Sequence, residues 1–161
     1  MAKQVTKAAS NVYCQARLRA AMYNEDFAAR STAVNHLPGV TEDSLKKYEL
    51  DITRAPNIVV ALMADAYNAP ELRSWYCANE CPLGTNCREI NEMPPERSAI
   101  RLKNAIGEAE NAISELFQIL EDGEITDDEL IRAENAKDSL LELRRRTDEV
   151  LAALEKARKM S

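Results

Sequence analysis

The stretch PGVTEDSLKKYELDITRAPN, residues 38–57, decides how the chain is read. Pro38-Gly39 stops any helix before it, because Pro cannot continue a helix and Gly accepts a left-handed backbone. Thr41 is a preferred N-cap, and Glu42 and Asp43 suit the positive end of the helix that follows, which runs to about Leu50. Pro56 then opens another helix. Two helices separated by a short Gly-containing turn are what a helix-turn-helix requires.

Working outward, Val12–Tyr23 carries apolar residues at 12, 13, 16, 18, 22 and 23, a one-sided helical pattern. Ser31 stands as N-cap for a helix over Thr32–Leu37. The helix opened by Pro56 runs through Tyr67 until Asn68-Ala69-Pro70, and Glu71–Cys77 forms a fifth. Tyr13, Met22, Tyr23, Met63, Tyr67 and Trp75 recur at helical spacing and read as core. Five short helices predict a compact all-α domain over residues 11–90.

Pro94-Pro95 is the clearest boundary, since paired prolines deny helix to the residue before them. Beyond it, Ala99, Leu102, Ile106, Ala109, Ile113, Leu116 and Leu120 step by three and four. Ala133, Ala136, Leu140, Leu143, Thr147, Val150, Leu154 and Ala157 do the same. Both series read as coiled-coil seams. Gly123 fits a helix stop, and Thr126-Asp127-Asp128-Glu129 is a capping box that restarts the chain. Residues 96–160 are therefore expected to form a long antiparallel helical hairpin. Ile100, Phe117, Ile119, Leu141 and Leu151 widen the apolar stripe beyond a two-helix seam and call for further cover, either a second subunit in a homodimer, the favoured reading, or the chain's own first module. The Arg144-Arg145-Arg146 triplet is expected to pair with nearby acids such as Glu142 and Asp148. Asp122-Gly123-Glu124-Ile125 imitates half of a calcium loop, but Leu120 would occupy a ligand position and cannot bind calcium.

The 161 residues are 45% hydrophobic and 30% charged, enough for one domain with an appendage. Apolar runs reach about seven residues near Ile58–Ala64, short of the roughly 20 of a membrane span. The opening MAKQVTKAAS lacks the apolar core of a secretory signal, so a cytoplasmic protein is expected. His36 is the one histidine, and the four glycines at 39, 84, 107 and 123 sit apart. Those two facts leave no Ser/His/Asp triad other than through His36, no two-histidine metal motif and no glycine-rich phosphate loop, so no enzyme is expected. Residues 1–90 hold ten Lys/Arg against ten Asp/Glu, whereas 91–161 hold eleven against seventeen, so the net −6 lies in the second half. That acidity argues against general nucleic-acid coating by the hairpin and leaves the neutral half open to DNA.

Cys77, Cys81 and Cys87 flank a turn shaped by Pro82 and Gly84. With Cys14 they count four, as a structural zinc or an iron–sulfur cluster needs. Their spacing matches no standard metal motif. Buried thiols that behave as small hydrophobes, or a local disulfide, read the same pattern better than a metal does.

VTEDSLKKYELDITRAPN resembles the recognition helix and following turn of the lambda-repressor-like (XRE) helix-turn-helix regulators, through Val40, Thr41, Tyr48-Glu49 and Pro56. YCQARLRAAMYNE (13–25), MADAYNAPELRSWYC (63–77) and ECPLG (80–84) extend the resemblance to a bacterial subset with a cysteine-bearing segment and a helical C-terminal tail. It implies a five-helix lambda-repressor-like domain and a sequence-specific, repressor-type transcriptional regulator acting on double-stranded DNA as a dimer. The helix from Thr41 would enter the major groove. Thr41, Glu42, Asp43, Ser44 and Lys47 would then occupy reading positions, with Arg30, Ser31 and Thr32 toward phosphate and Lys46 and Arg54 adding phosphate contacts. Glu42 and Asp43 depart from the family, where basic or hydroxyl side chains are usual. A carboxylate can accept from cytosine N4, or can simply favour the helix dipole. A protein-interaction module that keeps the fold without strong DNA binding is the alternative.

Overall fold

A computed structural model describes residues 9–160. These residues are helical, with no strand among them, and the chain divides into two compact units, Met1–Cys81 and Pro82–Ser161. Among the described residues no helix is long and apolar enough to cross a membrane.

The first unit contains α1 (Val12–Ala20), α2 (Arg30–Ala33), α3 (Glu42–Glu49), α4 (Asn57–Ala66) and α5 (Glu71–Asn79). Short 3-10 turns at Glu25–Phe27 and Val34–His36 flank α2. Asn11 caps α1, its side-chain oxygen accepting from the Tyr13 and Cys14 backbone N–H groups at 2.9 and 3.0 Å. The same amide donates to the Tyr48 carbonyl and to Asp51, which ties the start of α1 to the end of α3. Thr41 caps α3 as its position predicts, accepting from the Ser44 N–H at 3.2 Å. Gly39, at φ +79°, makes the turn between α2 and α3, and the Leu37 and Val40 side chains on either side of it are buried.

Two expectations fail in this unit. Ser31 lies inside α2, whose N-cap is Ala29, with no side-chain cap. Thr32 instead folds its hydroxyl back to donate to the Asp26 and Ala29 carbonyls, one of the local bonds that compete with capping. Met22 and Tyr23 are exposed because α1 ends at Ala20, so their periodicity no longer turns toward the core. Leu37, Leu45, Met63 and Leu72 are fully buried at the centre, and Tyr67 packs edge-on against Phe27 at 5.2 Å. Each such leucine contributes about 1.5–3 kcal/mol.

The second unit contains an irregular segment, residues 82–94, followed by α6 (Pro95–Ile119) and α7 (Leu130–Met160). Pro95 sits in the first turn of α6, where its missing N–H costs nothing. Gly123 adopts φ +82° in the connection, and Glu129 accepts from both the backbone N–H and the hydroxyl of Thr126, the glutamate half of the expected capping box, while the Glu129 N–H donates to the Thr126 carbonyl.

The seam between these helices matches the expected one in part: Ala109 and Ala136 are buried, and Leu102, Leu116, Ala133, Leu140, Leu143 and Val150 are half-buried. Ser98, Ala105, Ala109, Ala112 and Ile119 are buried on α6, while Ala99, Ile106, Ile113 and Leu120 are exposed. On α7 the buried residues are Ala136, Glu149 and Ala153, and Thr147, Leu154 and Ala157 are exposed. Small alanines let the two backbones approach closely, so the line of alanines, not the line of large aliphatics, becomes the contact. Glu149 is buried because Arg146 and the Asn91 N–H hold it, with Arg101 and Arg145 nearby. Arg145 and Arg146 of the basic triplet also reach Glu142, as the sequence suggests, and Arg145 donates to the Glu89 carbonyl. These contacts fasten residues 89–91 to α7.

Candidate nucleic-acid interface

Helix α3 has one buried face and one open one. Leu45 and Glu49, four residues apart, point inward and are fully buried, whereas Thr41, Glu42, Asp43, Lys46 and Lys47 face solvent. Ser44 is half-buried at the boundary, and its hydroxyl accepts from Thr41 at 2.9 Å.

The inward face is anchored by charge as well as by leucine. Arg17 on α1 donates to Glu49 through Nε at 2.6 Å and Nη2 at 3.0 Å. Its Nη1 donates to the Phe27 and Ala28 carbonyls, and its Nη2 also lies 3.8 Å from the Cys14 sulfur, so both ends of the guanidinium are occupied. Arg30, the first residue of α2, donates to the same carboxylate at 2.6 Å. Burial works against the charge on Arg17, but the Glu49 hydrogen bonds and charge outweigh it and hold the guanidinium above its usual range. One glutamate at the end of α3 thus fixes α1 and α2 around the turn. A buried ion pair is tolerable only with its hydrogen bonds satisfied in this way.

Sequence reading places Arg30 toward phosphate and Glu49 only in the Tyr48-Glu49 pair, and it misses Arg17 and the cluster the three form, although a signal exists. Arg17 lies on the face of α1 that carries Tyr13, Ala16 and Ala20, and Glu49 lies one turn from Leu45. A charge of each sign placed on an apolar face marks a buried pair.

The other expected DNA-contacting residues fall as follows. Ser31 and Thr32 are exposed on α2, and Arg30 is committed to Glu49. Asp43 and Lys47 pair across one turn at 2.7 Å. Their hydrogen bond holds the Asp43 carboxyl below its ordinary range and the Lys47 ammonium above its own. Arg54 pairs with Glu80 at 2.5 Å and lies over the Tyr76 ring. Arg19 pairs with Glu71, and Arg73 with Asp65. Among the described residues of this unit, Lys46 alone of the cations has no carboxylate partner. Every surface pair here is solvated and worth about 0–1 kcal/mol, so phosphate can compete for each cation.

Cys14 is buried beside Arg17, and burial, followed by the charge of Glu49, pushes its thiol up. Cys77 is half-buried on α5, and Cys81 and Cys87 are half-buried with free thiols, the latter in the second unit. Among the described residues no three His, Cys, Asp or Glu side chains form a metal-binding group. His36 sits 2.9 Å from Asp26 with its ring against Phe27. No family model, curated protein or solved structure matches this chain.

Proposed function

We propose that this chain is a sequence-specific DNA-binding regulator of the repressor type, acting in the cytoplasm as a homodimer, with α2, the Gly39 turn and α3 as a helix-turn-helix. The supporting observation is the division of α3. Leu45 and the Arg17–Glu49–Arg30 cluster hold its inner face, and Thr41, Glu42, Asp43, Lys46 and Lys47 are exposed on its outer one. A rigid helix with an open polar N-terminal turn is the element that docking in a major groove needs. Thr41, Glu42 and Ser44 are assigned to base edges, and Lys46, Lys47 and Arg54 to phosphate.

A specific observation favours a second reading, the protein-interaction module. With all cations but Lys46 neutralised by carboxylates, the described surface of this unit offers a duplex little free positive charge.

Binding of the full chain to duplex DNA, followed over a range of salt, separates the two readings. A regulator shows log K falling linearly with log[salt] and retains preference for one sequence. Binding that is absent at low salt, from folded protein, rejects the DNA reading.

A further inference from the structure

The closed end of the hairpin carries an apolar groove beside a cluster of acids. On α6, Ile113, Phe117 and Leu120 are 43%, 76% and 49% exposed. Their spacing of four and three places them along one face for two turns, about 10 Å. With Leu116 and Glu121 they line an open groove of about 520 Å³. Arg132, bonded to Glu115 at 2.7 Å, sets the first turn of α7 beside the last turns of α6. The exposed Leu130 and Ile131 therefore belong to the same end, as does Ile125 of the connection. Large apolar side chains gathered in water at one end, while alanines supply the seam, mark a surface for a partner.

The charge is localised there too. From residue 104 to 131 the chain holds nine Asp/Glu and neither Lys nor Arg, so the rest of the chain carries a net +3 against the −6 of the whole. Among the described residues Arg132 is the one cation paired with this stretch, through Glu115. Glu121, Asp122, Glu124, Asp127 and Asp128 are all exposed around the end of the hairpin. This charge opposes two occupants. A second copy docked groove to groove would bring nine carboxylates against nine, and a phosphate backbone would be repelled likewise.

We propose that the groove binds a basic amphipathic helix of a partner protein. Apolar side chains of that helix at positions i, i+4 and i+7 would lie on Ile113, Phe117 and Leu120, and its flanking lysines and arginines would meet the carboxylates from Glu121 to Asp128. Apolar contact supplies the affinity, and the acidic rim speeds association and rejects acidic partners. This goes beyond the DNA reading, which concerns the first unit, and holds whether or not that unit binds a duplex. The remainder of the hairpin is left to the homodimer.

The test is calorimetric titration of the full chain, without DNA, with three synthetic peptides of roughly 18 residues. The first is built of Leu and Lys with its leucines on one helical face. The second has the same composition in an order that gives no apolar face, and the third has Glu in place of each Lys. The first is expected to bind one to a chain with a Kd under about 100 µM at near-physiological salt, and the others at least about tenfold more weakly. Phe117→Ala is expected to weaken the first peptide about tenfold or more. E121Q/D122N/E124Q, confined to exposed positions, is expected to weaken it about threefold or more and to flatten its salt dependence, which keeps the test valid if the Phe117 variant fails to fold. No binding of the first peptide overturns the proposal, as does equal binding of the second or indifference to either folded variant. A wild-type dimer that Phe117→Ala dissociates, read by sedimentation, would give the groove to a second copy and overturn it as well.

Discussion

Arg17 on α1 and Glu49 on α3, 32 residues apart in the chain, are joined by two hydrogen bonds of 2.6 and 3.0 Å in a region with almost no solvent access. This pair, with Arg30 as third member, sets the angle at which α3 leaves the turn. Glu49→Ala is expected to cost about 3–5 kcal/mol, because it strands a buried guanidinium. Arg17→Lys is expected to destabilise as well, since an ammonium cannot reproduce the two-bond fork. Urea unfolding of both variants checks this, and a change under 1 kcal/mol for Glu49→Ala would show that α3 is not held by charge.

Asp43 pairs with Lys47, and on the proposed DNA reading it would compete with phosphate for that ammonium. Asp43→Asn is therefore expected to tighten binding to all duplexes alike and to steepen the salt dependence, because it frees a cation for phosphate without touching base recognition. Glu42→Gln is expected to change which sequence is preferred. Uniform tightening by Glu42→Gln would mark that carboxylate as repulsive only.

Gly39 has φ +79° and no atom within 4 Å of the position a Cβ would take. Gly39→Ala is thus expected to cost about 1–2 kcal/mol through backbone strain alone, with no steric clash to add to it. Gly39→Asn is expected to cost less, and thermal unfolding of the two variants gives the comparison.

Much of this architecture could be read locally. Thr41 as a cap, Gly39 as the turn and Thr126 to Glu129 as a capping box each depend on residues within a few positions of one another. The anchoring cluster could not be located in this way, since Arg17 meets Glu49 only once α1 crosses α3, and Arg30 joins them from a third helix. The hairpin seam, which keeps the expected Ala109 and Ala136, was misplaced at its isoleucines for a related reason. Periodicity places apolar residues on one side of a helix, but it does not say whether alanines or isoleucines take the closest approach. Ala105, Ala109 and Ala112 take it here, and Ile106 and Ile113 are left at the side.

The hydrogen bonds from Thr126 hold the Glu129 carboxyl below its ordinary value of 4.5. A depressed folded-state value stabilises the connection fully above that pH, and the contribution is lost as pH falls through the folded value. Carboxylate titration by NMR is expected to give Glu129 a midpoint under 4.5, and Thr126→Val is expected to raise it. An unshifted Glu129 would mean that the box is not formed in solution.

The most direct test of the DNA reading is selection by the full-length chain from a random duplex library at near-physiological salt, followed by sequencing of the retained DNA. Enrichment of a two-fold symmetric sequence, with half-sites about one helical turn apart, is the predicted result. Retained DNA with no common sequence, from protein shown to be folded and dimeric, would contradict the account and assign the open face of α3 to a protein partner.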